Sequence, residues 1–162
     1  MKDLDRLNGK FKHRSYNLIE HSYMVTVLFR HFAFKEDIAY DMQVIDTIMH
    51  HDIVETVTSD LPYTVKNHSE KTKTLWGELE KDVVNSFPFL KRYSDEGIKE
   101  LLSEIQHDLF KVCDLLDLWI FLKEEKSYGN NSFDVNDIII RCEELIEGKF
   151  IHVDKFMESY GK

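Results

Sequence analysis

Glycine and proline are scarce in this chain, six and two among 162 residues. That scarcity excludes long flexible linkers and argues against a Greek-key sheet, leaving helix as the main expectation. Cysteine is as rare: Cys113 and Cys142 are the two. Both lie in apolar, helical-looking segments without CxxC spacing, so no disulfide framework is expected and both should be reduced, buried thiols. No run of about 18 apolar residues occurs, and "MKDLDRLNGKFKHR" at the start lacks the apolar core of a signal peptide. We therefore expect a cytoplasmic protein with no membrane partner.

Positive charge is also short. Lysine and arginine number 21 against 30 aspartates and glutamates, a net charge of −9. The balance is uneven, because Lys2, Arg6, Lys10, Lys12 and Arg14 stand against only Asp3 and Asp5 in the first segment. A body this acidic is a poor tracker of a nucleic-acid polymer, whose binding rests on neutralising many phosphates. The small basic segment suits one phosphorylated small molecule.

What is present is apolar periodicity. The length fits a single domain over residues 1–162 with one core. Met24, Val25, Val27, Leu28 and Phe32 recur at helical spacing from Ile19 to about Phe34. In "DIAYDMQVIDTIMHHDIVETV" the residues Ile38, Met42, Ile45, Met49, Asp52 and Glu55 fall on one stripe, predicting a second helix whose apolar face runs into an acidic pair. Ser59, Asp60 and Pro62 should stop it. A third helix is expected from Ser69 to near Pro88 with Leu75, Leu79, Val83 and Phe87 inward. One or two helices follow the Ser94 cap, and "FKVCDLLDLWIFL" is the most hydrophobic part of the chain. Ser132 should cap another helix, with Gly148 past its end. The expected fold class is all-α, a bundle of about six or seven helices of ordinary length.

The second helix concentrates chemistry. His51 and Glu55 stand at i and i+4, and Asp52 adjoins His51, so all three can surround one point. Burying that many polar groups is costly unless something compensates them, and imidazole with carboxylate is a good donor set for a first-row divalent cation. His21, in "NLIEHSYMV", is a credible third ligand. Asp114 or Asp117, carboxylates on so apolar a helix, should supply the fourth.

In the order His, His-Asp, Asp the chain resembles the HD-domain metal-dependent phosphohydrolases, and more narrowly the bacterial 5′-deoxynucleotidases, the YfbR-like family. "HDIVETVTSDLPYTVK" is similar to that family's block throughout its spacing, "EHS" at 20–22 to its first-ligand motif, and "FKVCDLLDLWIFLKEEKSYGNN" to its last-ligand helix, aligning Asp114 rather than Asp117. The likeness covers roughly residues 4 to 131. It implies His21, His51, Asp52 and Asp114 as metal ligands, Glu55 as the catalytic carboxylate, Asp60 as the residue that senses the sugar and Arg6 as a phosphate contact. Lys66 and Lys111 also match family positions, and their charge suggests phosphate. Where the family usually has tryptophan after the arginine, this chain has Leu7, which removes a stacking surface near the nucleotide.

Such a site implies hydrolysis of a phosphate ester, with the ion polarising a phosphoryl oxygen and activating water while Glu55 moves the proton. The cofactor is a divalent metal ion: Mn, Co, Fe, Mg or Zn. The substrate expected is a deoxynucleoside 5′-monophosphate. One alternative is a phage-type triphosphohydrolase that releases triphosphate from a deoxynucleoside triphosphate. Another is a non-catalytic nucleotide-binding HD module, which predicts an eroded ligand or acid, and neither is eroded. Alarmone hydrolysis fits the metal but not the spacing of Glu55 and Asp60. Family habit and the abundance of apolar side chains point to a homo-oligomer, a dimer or higher.

Overall fold

The computed structural model describes residues 5–7, 10–58 and 68–160. Its helices begin where short polar side chains can satisfy the free N–H groups of a first turn. Asn17 accepts from Ile19 and Glu20 at the head of α1 (Leu18–Lys35), and Asp41 from Gln43 and Val44 at the head of α2 (Met42–Met49). A four-residue α3 (Glu55–Thr58) follows, then α4 (Glu70–Ser86), capped by Ser69, and a 3-10 turn (Pro88–Tyr93). Ser94 caps α5 (Asp95–Leu101), and the Gln106 side chain reaches back to the Ser103 N–H at 2.9 Å at the head of α6 (Glu104–Ser127). Ser132 caps α7 (Phe133–Ile146), and α8 (Ile151–Tyr160) closes the fold. No strand occurs among the described residues beyond one isolated bridge between Asp5 and Asn17. The all-α expectation holds, with more and shorter helices than periodicity suggests.

The 24-residue α6, about 36 Å long, is the axis of the fold. It packs most extensively against α1 and α7. Leu109, Phe110, Val112, Cys113, Leu116, Trp119, Phe121 and Leu122 are buried along it, against Val25, Phe29 and Phe32 of α1 and Val135, Ile139 and Ile146 of α7. Both cysteines are free and buried, as expected. Gly97 is demanded by close packing, because a Cβ there would lie 2.1 Å from the Lys91 carbonyl of the 3-10 turn.

Two expectations need correction. The second helix does not run through to Glu55. It ends at Met49, and His50 to Val54 form a tight turn in which the N–H groups of His51, Ile53 and Glu55 reach back three residues instead of four. The ring Nδ1 atoms of His50 and His51 bond the Asp46 and Ile48 carbonyls at 2.8 and 2.7 Å, which favours this winding. The stripe shifts accordingly: Val44, Ile45, Thr47 and Ile48 are buried, while Met42 and Met49 are exposed. The third helix has the expected bounds, but none of its residues is buried, and Leu75 and Leu79 are 55% and 45% exposed. Periodicity marks a face as apolar without supplying anything to cover it.

Candidate active site

Four segments bring the polar residues together. His21 lies in the second turn of α1, fully buried. His51 and Asp52 come from the tight turn after α2, Asp114 from the middle of α6, and Arg6 from the segment before α1. The His21 Nε2 atom lies 3.2 Å from His51 Nε2, 3.1 Å from Asp114 Oδ1 and 3.5 Å from Asp52 Oδ2. Asp52 Oδ1 lies 3.3 Å from His51 Nε2. The Arg6 guanidinium meets Asp52 Oδ2 from across 46 residues of chain.

Ring orientation is set from behind. His51 Nδ1 faces the Ile48 carbonyl, which can only accept, so that nitrogen carries the proton and Nε2 is bare. His21 Nδ1 lies 2.8 Å from Asp117 Oδ2, and the Tyr16 hydroxyl donates to the same oxygen at 2.6 Å. His21 therefore also presents Nε2 inward. Two lone pairs aimed at each other across 3.2 Å repel unless a cation or a proton lies between them.

The donor set fits a divalent metal ion. Donors about 2.1 Å from one ion stand about 3.0 Å apart at right angles and about 3.4 Å apart at a tetrahedral angle, and the separations here are 3.1 to 3.5 Å. Ligand atoms of His21, His51 and Asp114 all lie within 4.8 Å of one another. Two imidazoles with carboxylates and no thiolate suit Mn, Co, Fe, Mg or Zn.

The charged groups of the site set one another's protonation. Burial and the Arg6 charge disfavour the His21 imidazolium, but Asp114 and Asp117 outweigh them and push it up to about 8. Burial holds His51 below the ordinary histidine value despite Asp52 and Asp114. Burial alone would raise the Asp114 and Asp52 carboxyls, yet the two histidines and Arg6 hold both below the usual range. The Arg6 guanidinium, although partly buried, is kept charged by Asp52, Asp114 and Glu55 among its neighbours. Glu55 opens α3, its N–H bonded to the Asp52 carbonyl at 3.0 Å. Its charge is thus felt at the same centre, although the helix expected to carry it is broken.

Other expected residues fall elsewhere. Asp60 and Lys66 lie outside the described residues. Lys111 is half exposed, its ammonium 4.0 Å from Asp95 and 5.0 Å from the Phe110 ring centre, and that ring packs on His51. Leu7 has φ of 56° and packs partly buried against the core. Arg14 pairs with Glu124 and lies over the Phe121 ring.

The profile of one family, 5′-deoxynucleotidase YfbR-like, matches residues 1–162. The chain belongs to that family. It is accordingly a metal-dependent phosphohydrolase of deoxynucleotides. Among solved structures, the YfbR-like chain is similar to an HD-domain phosphohydrolase (lin2634) from Listeria innocua, at 19% identity and a TM-score of 0.71, over 98% of this chain and 82% of that one. It is also similar to the cyanophage S-2L HD phosphohydrolase DatZ, bound to dA and one catalytic Zn2+ ion, at 19% identity and TM-score 0.67, over 88% and 76%. A conserved hypothetical protein from Pyrococcus furiosus follows at 17% identity and TM-score 0.60, over 90% and 82%. At such identities the likeness is one of fold. No curated protein sequence matches significantly.

Motif spacing in the YfbR-like chain misses two residues of the site. By sequence Asp114 and Asp117 are alternatives for one ligand position, whereas the structure uses both: Asp114 faces the histidine nitrogens and Asp117 stands behind His21. The signal is present, since two carboxylates one turn apart on an apolar helix each need a partner. Tyr16, buried and stacked on Phe121 with ring centres 4.2 Å apart, has no such signal.

Proposed function

We propose that the chain removes the 5′-phosphate from deoxynucleoside 5′-monophosphates, with His21, His51, Asp52 and Asp114 holding one divalent ion and Glu55 handling the proton. One observation carries this reading: two inward-facing Nε2 atoms and the carboxylates of Asp52 and Asp114 converge within metal-ligand spacing beside a partly buried arginine. When bound, the ion supplies Lewis acidity toward a phosphoryl oxygen. Glu55 takes a proton from the attacking water and returns one to the leaving ribose oxygen. Arg6 offsets charge that develops on the phosphoryl oxygens, a role supported by its partly buried, permanently charged guanidinium at the rim of the cluster. Asp60 senses the sugar and Lys66 the phosphate on the strength of their motif, and Lys111 contributes positive charge nearby. Leu7 leaves the base less tightly stacked than a tryptophan would.

This reading treats residues 1–162 as one HD domain. The dA seen in the cyanophage enzyme makes deoxyadenosine nucleotides the first substrates to test. Two free buried thiols support a cytoplasmic setting, and among the described residues no helix is long and apolar enough to cross a membrane. A homo-oligomer is supported by the exposed Leu75 and Leu79 of α4 and Phe87 just past its end. Pairing two copies of that helix antiparallel about Leu75 and Leu79 would bring Lys71 of each toward Asp82 of the other. Sedimentation of Leu79→Lys checks it: a dimer or larger species that dissociates supports the interface, and an unchanged mass rejects it.

The test of function is product analysis of the metal-loaded protein on dAMP, AMP and dATP in parallel. Orthophosphate from dAMP with little from AMP is the expected result, and Asp60→Ala should narrow the difference between the two. Tripolyphosphate from dATP with no turnover of dAMP would replace this reading by the triphosphohydrolase.

A further inference from the structure

The residue that would meet phosphate, Arg6, sits on a strap that crosses the end of α6 before entering α1. The strap's ends are zipped together: the Arg6 N–H donates to the Tyr16 carbonyl at 2.6 Å, and Asp5 accepts from the Tyr16 N–H at 3.0 Å and from Lys12 at 2.6 Å. Its tip is held by a carboxylate with no exposed surface. Glu125 accepts the His13 N–H on one oxygen at 2.6 Å and the Arg14 N–H on the other at 3.0 Å. Asn130 donates to Glu125 at 3.3 Å and to the Phe11 carbonyl at 3.0 Å, which ties the strap to the turn after α6.

A buried carboxylate is costly unless it is fully bonded, and here every bond goes to the strap or to the residue that braces it. Glu125 has no contact with the metal-facing groups. It shares with them one face of one helix: Asp114, Asp117, Phe121 and Glu125 follow at steps of three, four and four. Along that face lie a candidate ligand, the carboxylate behind His21, the ring stacked on Tyr16, and the clamp. Eleven residues at 1.5 Å each separate the first from the last by about 16 Å. Helix α6 is thus a ruler that sets the strap's tip, and through the Tyr16 zipper Arg6, at a fixed distance from the ligands.

We propose that Glu125, braced by Asn130, is a positioning residue that holds the Arg6 guanidinium where the substrate phosphate arrives. The proposal rests on the phosphate contact assigned to Arg6 above. Its test is built so that the two can fail separately.

Glu125→Gln puts an amide NH2 against one of two backbone N–H donors and breaks the clamp while keeping its shape. Asn130→Ala, a milder change that keeps the carboxylate, is the second variant should the first fail to fold. For each, KM and kcat on dAMP are measured alone and in an Arg6→Ala background, with metal stoichiometry and amide hydrogen exchange at Arg6. We expect KM to rise on the order of ten- to hundredfold for Glu125→Gln, and less for Asn130→Ala, from misplacement of one charged contact. In the Arg6→Ala background that rise should vanish. The Arg6 amide should exchange faster, and bound metal should be unchanged. An undiminished rise in the Arg6→Ala background, or unaltered exchange at Arg6, would overturn the positioning role. Faster exchange at Arg6 combined with an Arg6→Ala variant of normal KM would uphold the clamp and reject the phosphate contact.

Discussion

Asp117 offers the sharpest prediction about the metal centre, because it touches no ligand-facing atom of the cluster and yet should govern metal affinity. Its Oδ2 receives the Tyr16 hydroxyl at 2.6 Å and His21 Nδ1 at 2.8 Å. Those bonds fix the tautomer that leaves His21 Nε2 free, and they raise the basicity of the ring. Loss of such a partner typically weakens metal binding about ten- to hundredfold, or ~1.4 to 2.7 kcal/mol at 1.36 kcal/mol per decade. Asn keeps an oxygen that can accept from both donors but loses the negative charge, so Asp117→Asn belongs near the lower figure. Asp117→Ala removes both carboxylate bonds and leaves His21 Nδ1 only the neutral Tyr16 hydroxyl at 3.1 Å, so it belongs near the upper one. Competition of Mn2+ or Co2+ between the apo-protein and a chromogenic chelator measures the affinity directly. Activity at saturating metal should recover most of its wild-type value in Asp117→Asn. If both variants bound metal within about twofold of wild type, the orientation argument would be refuted.

Three further outcomes follow from packing and charge. Leu116→Ala, at the buried centre of α6, should cost about 2–5 kcal/mol in urea denaturation, whereas Leu79→Ala on the exposed face of α4 should stay within about 0.5 kcal/mol for the monomer. Burial alone would raise the Glu125 carboxyl, but the His13 and Arg14 N–H groups and Asn130 outweigh it and hold it below its ordinary 4.5. Its folded value being the lower one, its contribution to stability is complete above about pH 4.5 and is lost as pH falls through the folded value. Glu125→Gln should therefore flatten the acid limb of stability measured by denaturation between about pH 6 and 3, and an unchanged limb would contradict the clamp. Burial pushes the Cys142 thiol up to about 12 and Cys113 also above its ordinary value. Neither should react with a disulfide reagent in the native protein, and both should titrate after unfolding.

Much of this site is legible in the sequence because its chemistry demands particular residues inside an otherwise apolar pattern. His21, His51, Asp52 and Asp114 stand out as polar groups in helical patterns with no other reason to bury them, and the fold brings all four together. Helix starts are equally readable, since Ser69, Ser94 and Ser132 act through their own side chains. The break after Met49 is not, because a histidine ring bonding back to a carbonyl competes with the helix only in the folded geometry. The exposed face of α4 is hidden for a related reason, as an apolar stripe specifies burial only when something packs on it. Asp117 is visible as a carboxylate but not as the partner of His21, and Glu125 shows only as part of a matching motif. Both roles depend on contacts across about a hundred residues.

The most direct test of the central claim separates metal binding from proton handling. Metal content and single-turnover hydrolysis of dAMP would be measured for wild type, Glu55→Ala and His51→Ala. We predict that Glu55→Ala keeps its metal ion and loses about 10²- to 10⁴-fold in rate, while His51→Ala loses the metal and the activity together. A Glu55→Ala protein that hydrolyses dAMP at the wild-type rate, or a His51→Ala protein that retains metal at wild-type affinity, would contradict the account.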